Sequence, residues 1–273
     1  MTGHASAEIV LPFGFDDPRG HRVRSVALSP LTGHGELFGA DDPNPFRAVL
    51  RLLAASTGGV DVATLGQLLP AERDYLLLHL NRLTFGDERY QAIECPHAGC
   101  GKRLEVRFAL SSASPAAAPV RAVGAIELPG GGRLRFRLPV AADQVELHDV
   151  ATAELEAGLL RRCVLPASDG TVGWEALRGA PAAVRAGVLK HIMMASPAID
   201  LAVPIECVEC GEPLRFVFDP VRSLIAELKG ARAELIKQVH RLAINYHWSQ
   251  AEILDLPNAL RREYLTLLQD AGR

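Results

Sequence analysis

The sequence predicts an α+β fold, in which two strand-knuckle-strand hairpins meet at four cysteines, joined to helical modules and a helical C-terminus. Three observations lead there. Cys95 and Cys100 lie in Ile-Glu-Cys-Pro-His-Ala-Gly-Cys-Gly, and Cys207 and Cys210 lie in Ile-Glu-Cys-Val-Glu-Cys-Gly. The flanks match as well: Leu104, Val106 and Phe108 fall on Leu214, Phe216 and Phe218, and Ile93-Glu94 falls on Ile205-Glu206. A unit of roughly twenty residues thus occurs twice, with period-two alternation after each knuckle. Thirdly, long stretches elsewhere carry apolar residues three and four apart, the helical spacing.

Each knuckle is half of a metal site. Tetrahedral zinc takes four ligands, and each tight turn supplies two thiolates. The glycine after each second cysteine, Gly101 or Gly211, frees the backbone to turn amides toward sulfur. Cys95, Cys100, Cys207 and Cys210 are therefore expected to close one zinc-ribbon-like site holding a structural zinc. His97 is an alternative ligand inside the first knuckle. A disulfide reading is disfavoured because Met1–Val10 lacks a basic region followed by an apolar run. A redox Cys-x-x-Cys opens a helix, whereas Glu212–Phe218 reads as a strand. Cys163 has no partner motif and is expected to be a buried small hydrophobe.

The elements follow in order. Glu8–Phe13 and Arg22–Leu28 read as strands about an Asp16–Gly20 turn, followed by a short Leu31–Glu36 motif at a strand end. Phe46–Ala55, Val62–Leu69 and Ala71–Leu83 read as helices, the last entered at Pro70 and apolar on most faces. After the first knuckle, Ser111–Pro119 is a Ser/Ala/Pro linker, and Val120–Leu128 with Arg133–Leu138 forms a hairpin. Asp143–Cys163 and Pro181–Met194 are expected helices. After the second knuckle, Asp219 caps the longest helix, with Pro220 in its first turn and Gly230 marking a bend or close packing contact. It ends at Tyr246-His247-Trp248. Ser249–Glu252 then has the capping-box spacing, with Trp248 placed to staple onto Ile253. In the last helix an apolar stripe of Leu260, Tyr264, Leu267 and Leu268 is set opposite Arg261, Arg262 and Glu263. The divisions are 1–110, 111–200, 201–219 and 220–273.

Composition limits function. The 273 residues are 48% hydrophobic and 22% charged, with net charge −3. That balance carries no basic nucleic-acid footprint, and at 5% aromatic there is no stacking platform. Of 29 basic residues only Lys102, Lys190, Lys229 and Lys237 are lysine. No apolar run approaches a membrane span. No phosphate-binding, dinucleotide, metalloprotease or nucleophile-elbow motif is present, so no catalytic residue is assigned. His79, His191 and His240 lie on apolar helices, where packing is the expected role. Arg133, Arg135 and Arg137 alternate along one strand, an outer solvated face or a small basic stripe. That stripe supports an alternative reading, a zinc-ribbon adaptor for nucleic acid. A metal or thiol enzyme is a third reading, weakened because four thiolates leave no open metal position.

A series of segments in order also resembles a known family. They are Leu11–Asp16, Val26–Gly33, Glu72–Leu78, the two knuckles, Phe136–Pro139, Phe218-Asp219, Tyr246–Ser249 and Glu252–Pro257. Together they resemble the baseplate hub assembly protein family of contractile-tailed bacteriophages and phage-tail-like injection systems. The chain departs from that pattern at His34-Gly35, where an acidic pair is typical, and in the four-residue gap of the first knuckle, where two is usual. The resemblance implies a non-enzymatic assembly chaperone or minor baseplate component. It implies hub or spike proteins as partners, and a cytoplasmic location or retention in the assembled particle.

Overall fold

The computed structural model describes residues 6–17, 19–115, 122–129, 131–168 and 170–271. Part of the expected linker (116–119), the start of the strand after it (120–121), the turn positions Pro18 and Gly130, and residues 1–5 lie outside them. The chain opens with β1 (Ala7–Asp16) and β2 (Arg22–Leu28), antiparallel and interrupted by a bulge between Val10 and Phe15. Four helices follow: α1 (Gly33–Phe38), α2 (Pro45–Ser56), α3 (Val62–Gly66) and α4 (Pro70–Phe85). Local chemistry sets their starts. Asn44 caps α2 by accepting from the amides of Phe46 and Arg47, and Asp61 caps α3 through Thr64. The motif expected at a strand end, Leu31–Glu36, instead enters α1.

Next come β3 (Glu88–Glu94) and β4 (Arg103–Ala109), an antiparallel pair, and a two-residue strand, β5 (Ser114–Pro115). β6 (Val123–Glu127) and β7 (Arg133–Arg137) form the inserted hairpin, followed by α5 (Ala141–Leu147) and α6 (Thr152–Cys163). Asp143–Cys163 was expected to be one helix, and it breaks between Leu147 and Thr152. The reason is tertiary: α5 belongs to the first half, where Ala141 N–H bonds Leu68 and the Val145 carbonyl accepts from Asn44. α6 turns Leu160 and Cys163 into a different core. β8 (Thr171–Val172), parallel to β7, and α7 (Trp174–Arg178) precede α8 (Ala182–Ala195) and had no expected counterpart.

β9 (Ile199–Asp200) pairs with β5, and β10 (Ala202–Glu206) pairs with β11 (Pro213–Val217). α9 (Pro220–Tyr246) is capped by the Asp219 carboxylate on the Arg222 amide and ends at His247, which is left-handed at φ 56°. α10 (Gln250–Leu254) begins with the reciprocal Ser249–Glu252 box, and α11 (Asn258–Ala271) closes the chain. Trp248 packs with Tyr246 and Tyr264 against Leu242, Ile253 and Leu265. Gly230 makes no close packing contact, since a side chain there would meet no atom within 4 Å.

Three apolar centres organise these elements. β1, β2, α2, α3, α4 and the first half of α9 share one, around Leu28, Leu53, Leu76 and Leu224. The insertion has its own, around Leu134, Phe136, Leu160 and Ile192. A third, with Phe108, Val106 and Phe218, lies under the two knuckle hairpins. His79 stacks edge-on against Tyr75 within this framework. His240 is exposed, so packing is not its role, whereas His191, also exposed, packs at right angles to the buried Phe136 ring.

Two buried charges tie the layers together. Glu72 of α4 is fully buried, and one of its oxygens accepts the Phe13 amide in the β1 bulge at 3.0 Å while the other has no hydrogen-bond partner. Burial pushes its carboxyl up to about 7 against the pull of the Phe13 and Gly14 amides. Arg261 of α11, expected on the polar face, is also fully buried, whereas Leu267 of the expected apolar stripe is 58% exposed. The Arg261 guanidinium grips Glu36 of α1 at 2.7 and 2.8 Å, and Asn258 bonds the same carboxylate. The stripe therefore runs through Arg261 and Leu265.

Because the folded pKa of Glu72 lies above its unfolded value of 4.5, its ionisation opposes the fold. The stability Glu72 contributes as the neutral acid is full below about pH 4.5 and is lost as pH rises toward 7, by about 3 kcal/mol. Glu72→Gln will remove that slope, so melting curves of the two proteins will diverge between pH 5 and 7.5 with the variant the more stable. Arg261→Met strands Glu36 in the interior and will cost about 3–5 kcal/mol in denaturant unfolding. Replacing both partners by apolar residues will recover most of that loss.

Candidate metal centre

The knuckles are continuations of their ladders. Beyond β3–β4, Cys95 N–H bonds the Lys102 carbonyl and Cys100 N–H bonds that of His97. Beyond β10–β11, Cys207 N–H bonds the Glu212 carbonyl and Gly211 N–H bonds that of Cys207. Gly101 and Gly211 both take left-handed φ, 56° and 73°, which a side chain would strain. The repeat seen in sequence is also a repeat of register: Ile93 faces Leu104 as Ile205 faces Leu214. The two hairpins pack through these positions, with Phe108 against Phe216 and Phe218.

This packing brings all four sulfurs within 4.8 Å of one another. The contacts cross the repeat. Cys95 Sγ lies 3.8 Å from Cys210 Sγ, and Cys100 Sγ lies 3.8 Å from Cys207 Sγ. A disulfide needs about 2.05 Å, so the four are thiols. A tetrahedron with metal–sulfur bonds of about 2.3 Å has edges of about 3.8 Å, so the four sulfurs could hold one metal ion. Cys95 and Cys207 are buried, Cys100 is half-buried and Cys210 is exposed. Leu104, Ile93 and Leu214 form an apolar collar.

The electrostatics suit shared anionic sulfur. The amides of Cys210 and Glu209 hold the Cys207 thiol down to about 7. At Cys210 the pull of the Glu212 amide is outweighed by desolvation and three neighbouring thiols, which push it up to about 12. At Cys95 the His97 amide is likewise outweighed by burial and the thiols of Cys207 and Cys100. Four thiols this close resist carrying four charges without a cation among them. His97 is outside the cluster, exposed and 3.8 Å from Glu212. Cys163 is apart, fully buried in the insertion, and burial pushes it up to about 11.

The basic stripe of β7 is partly neutralised. Arg137 forks onto Asp143 at 2.7 and 2.8 Å, and Arg133 lies 3.8 Å from Glu127. Among the described residues no helix is long and apolar enough to cross a membrane. Sequence reasoning assigned nothing to Arg89 of β3, which is buried beside Glu227 of α9. The two are far apart in the chain, so no local pattern marks them.

A family model described as T4 bacteriophage base plate protein matches residues 40–226. The chain belongs to that family. The matched region contains both knuckles, the insertion and the first two turns of α9, and it excludes β1, β2, α1, the rest of α9, α10 and α11. Those flanking pieces hold each other, through Glu36–Arg261 and through Arg232 on the Leu37 carbonyl. Searches of curated proteins and of solved structures return no match.

Proposed function

We propose that this chain is a non-enzymatic assembly chaperone or minor structural component of the baseplate hub of a contractile tail or tail-like injection system, with hub or spike proteins as partners. Family membership over residues 40–226 carries the reading. The ordered series of resembling segments narrows it to the hub. Cys95, Cys100, Cys207 and Cys210 are the proposed ligands of one structural zinc. The 3.8 Å sulfur spacings support that metal, and a closed set of four thiolates favours a structural use over chemistry at the ion. The zinc would supply a bond between the hairpins, and the chain's own amides at His97, Glu209, Cys210 and Glu212 would stabilise the thiolates. We further propose four parts, 1–110, 111–200, 201–219 and 220–273, with the zinc fastening the first to the third.

Elemental analysis of the purified chain will find one zinc per molecule. Cys207→Ser will lose it and melt about 10 °C lower, and a serine variant melting with the parent would contradict the staple. Deleting the gene will leave particles without normal baseplates. Mass spectrometry of intermediates and finished tails will then separate a chaperone, found only in intermediates, from a retained component. Normal baseplates after deletion would overturn the assembly reading.

A further inference from the structure

The two knuckle hairpins differ at their edges. In the second, Cys207 N–H to Glu212 and Phe218 N–H to Leu201 fix which residues face the ladder, so Pro204 and Pro213 sit at outward positions. Each removes an edge donor, the usual protection against strand addition. In the first hairpin, Cys95 N–H to Lys102 and Leu110 N–H to Asp87 turn the backbone groups of Glu88, Tyr90, Ala92 and Glu94 away from β4. No proline guards that edge. The Glu88 and Ala92 carbonyls are taken by the side chains of Arg89 and Gln91. Among the described residues, the Tyr90 N–H and C=O have no backbone partner.

Beside this edge runs a cleft of about 530 Å³, lined on one side by Glu88–Gln91 and on the other by α9. On the α9 wall the small residues Ser223, Ala226, Gly230 and Ala231 surround Glu227. Gly230 stands in mid-helix, where glycine is the poorest former after proline, and nothing in this chain requires it: the space above it is open. Arg89 lines the cleft at 8% exposure, and its Nε has no hydrogen-bond partner, lying 3.4 Å from Glu227 Oε2 in a geometry that makes none.

We infer that this cleft is a docking groove for an extended segment of another protein chain, added along β3 as a third strand. Backbone bonds to Tyr90 would give affinity, and alternate side chains would give selectivity. Residues of the added strand that face α9 must be small, to pass Ala226 and Gly230. On the other face, Glu88 already holds Arg107 at 2.7 Å, while exposed Glu94 has no ion pair among the described residues, so a Lys or Arg opposite Glu94 is favoured. The occupant is therefore an extended segment with one basic residue opposite Glu94 and small residues on the face toward α9. A second copy of this chain is disfavoured, because β3 paired antiparallel with itself about Gln91 sets Glu88 against Glu94. The inference requires neither the zinc nor the tail.

The test is selection of displayed random twelve-residue peptides on the immobilised full-length chain, followed by binding to Gly230→Leu and Tyr90→Pro. Gly230→Leu adds a side chain into open space on a better helix former, so it will fold and melt no lower than the parent. Enriched peptides will carry a basic residue among small ones, bind each variant at least tenfold more weakly, and shift the Tyr90 and Ala92 amide resonances. Peptides that bind Gly230→Leu as tightly as the parent, or selection that enriches no such sequence, would overturn the groove. Self-association of the parent abolished in Gly230→Leu would assign the cleft to a second copy and overturn the proposed occupant.

Discussion

The contact on which most of this structure depends is the meeting of four sulfurs from two turns, 107 and 115 residues apart in the two crossed pairs. A two-stranded hairpin is marginal by itself in water. Each knuckle hairpin gains stability by burying its apolar face on the other and on β1 and α4, through Leu104, Val106, Phe108 and Phe218 with Phe13 and Leu78. That packing closes a loop of more than a hundred residues, and the entropy of closure has to be offset at the junction. Four thiols held at the edge length of a metal tetrahedron are suited to that task.

The rest of the fold is arranged around that junction. The insertion leaves after β5 and returns at β9, which pair with each other, and it carries its own apolar centre. α5, in the middle of the insertion, ties it back to the first core through Ala141 and Val145. α9 is the common beam: its first turns fill the first core with Val221 and Leu224, and its later turns seat α10 and α11. The buried Arg261–Glu36 pair then closes the far end onto α1. A buried ion pair contributes little net stability relative to apolar packing, but it tolerates no mismatched neighbour. It fits a role in fixing how α11 sits.

What the sequence revealed was local. The cysteine knuckles, the period-two strands, the Asp219 and Ser249 caps and the N-terminal hairpin are each encoded within a few residues, and each forms where expected. What stayed hidden is set by distant partners. Arg261 looks solvent-facing until Glu36, 225 residues away, is placed beside it. The break at His148–Ala151 carries no glycine or proline; it arises because α5 and α6 serve different cores. Gly230 reads in sequence as a bend or a contact, and only the fold shows that it faces an open cleft where no described residue packs on it. The metal candidate was fully legible as four residues, because their spacing is local chemistry repeated. Their convergence required the fold.

The central claim is that the four-sulfur junction holds the two hairpins as one unit. Hydrogen exchange resolved by residue, before and after metal is stripped with a chelator at neutral pH, tests it most directly. The amides of β3–β4 and β10–β11 should lose protection together, while those of α2 and α4 in the first core keep theirs. Unchanged protection in both hairpins, or loss in one alone, would contradict the claim.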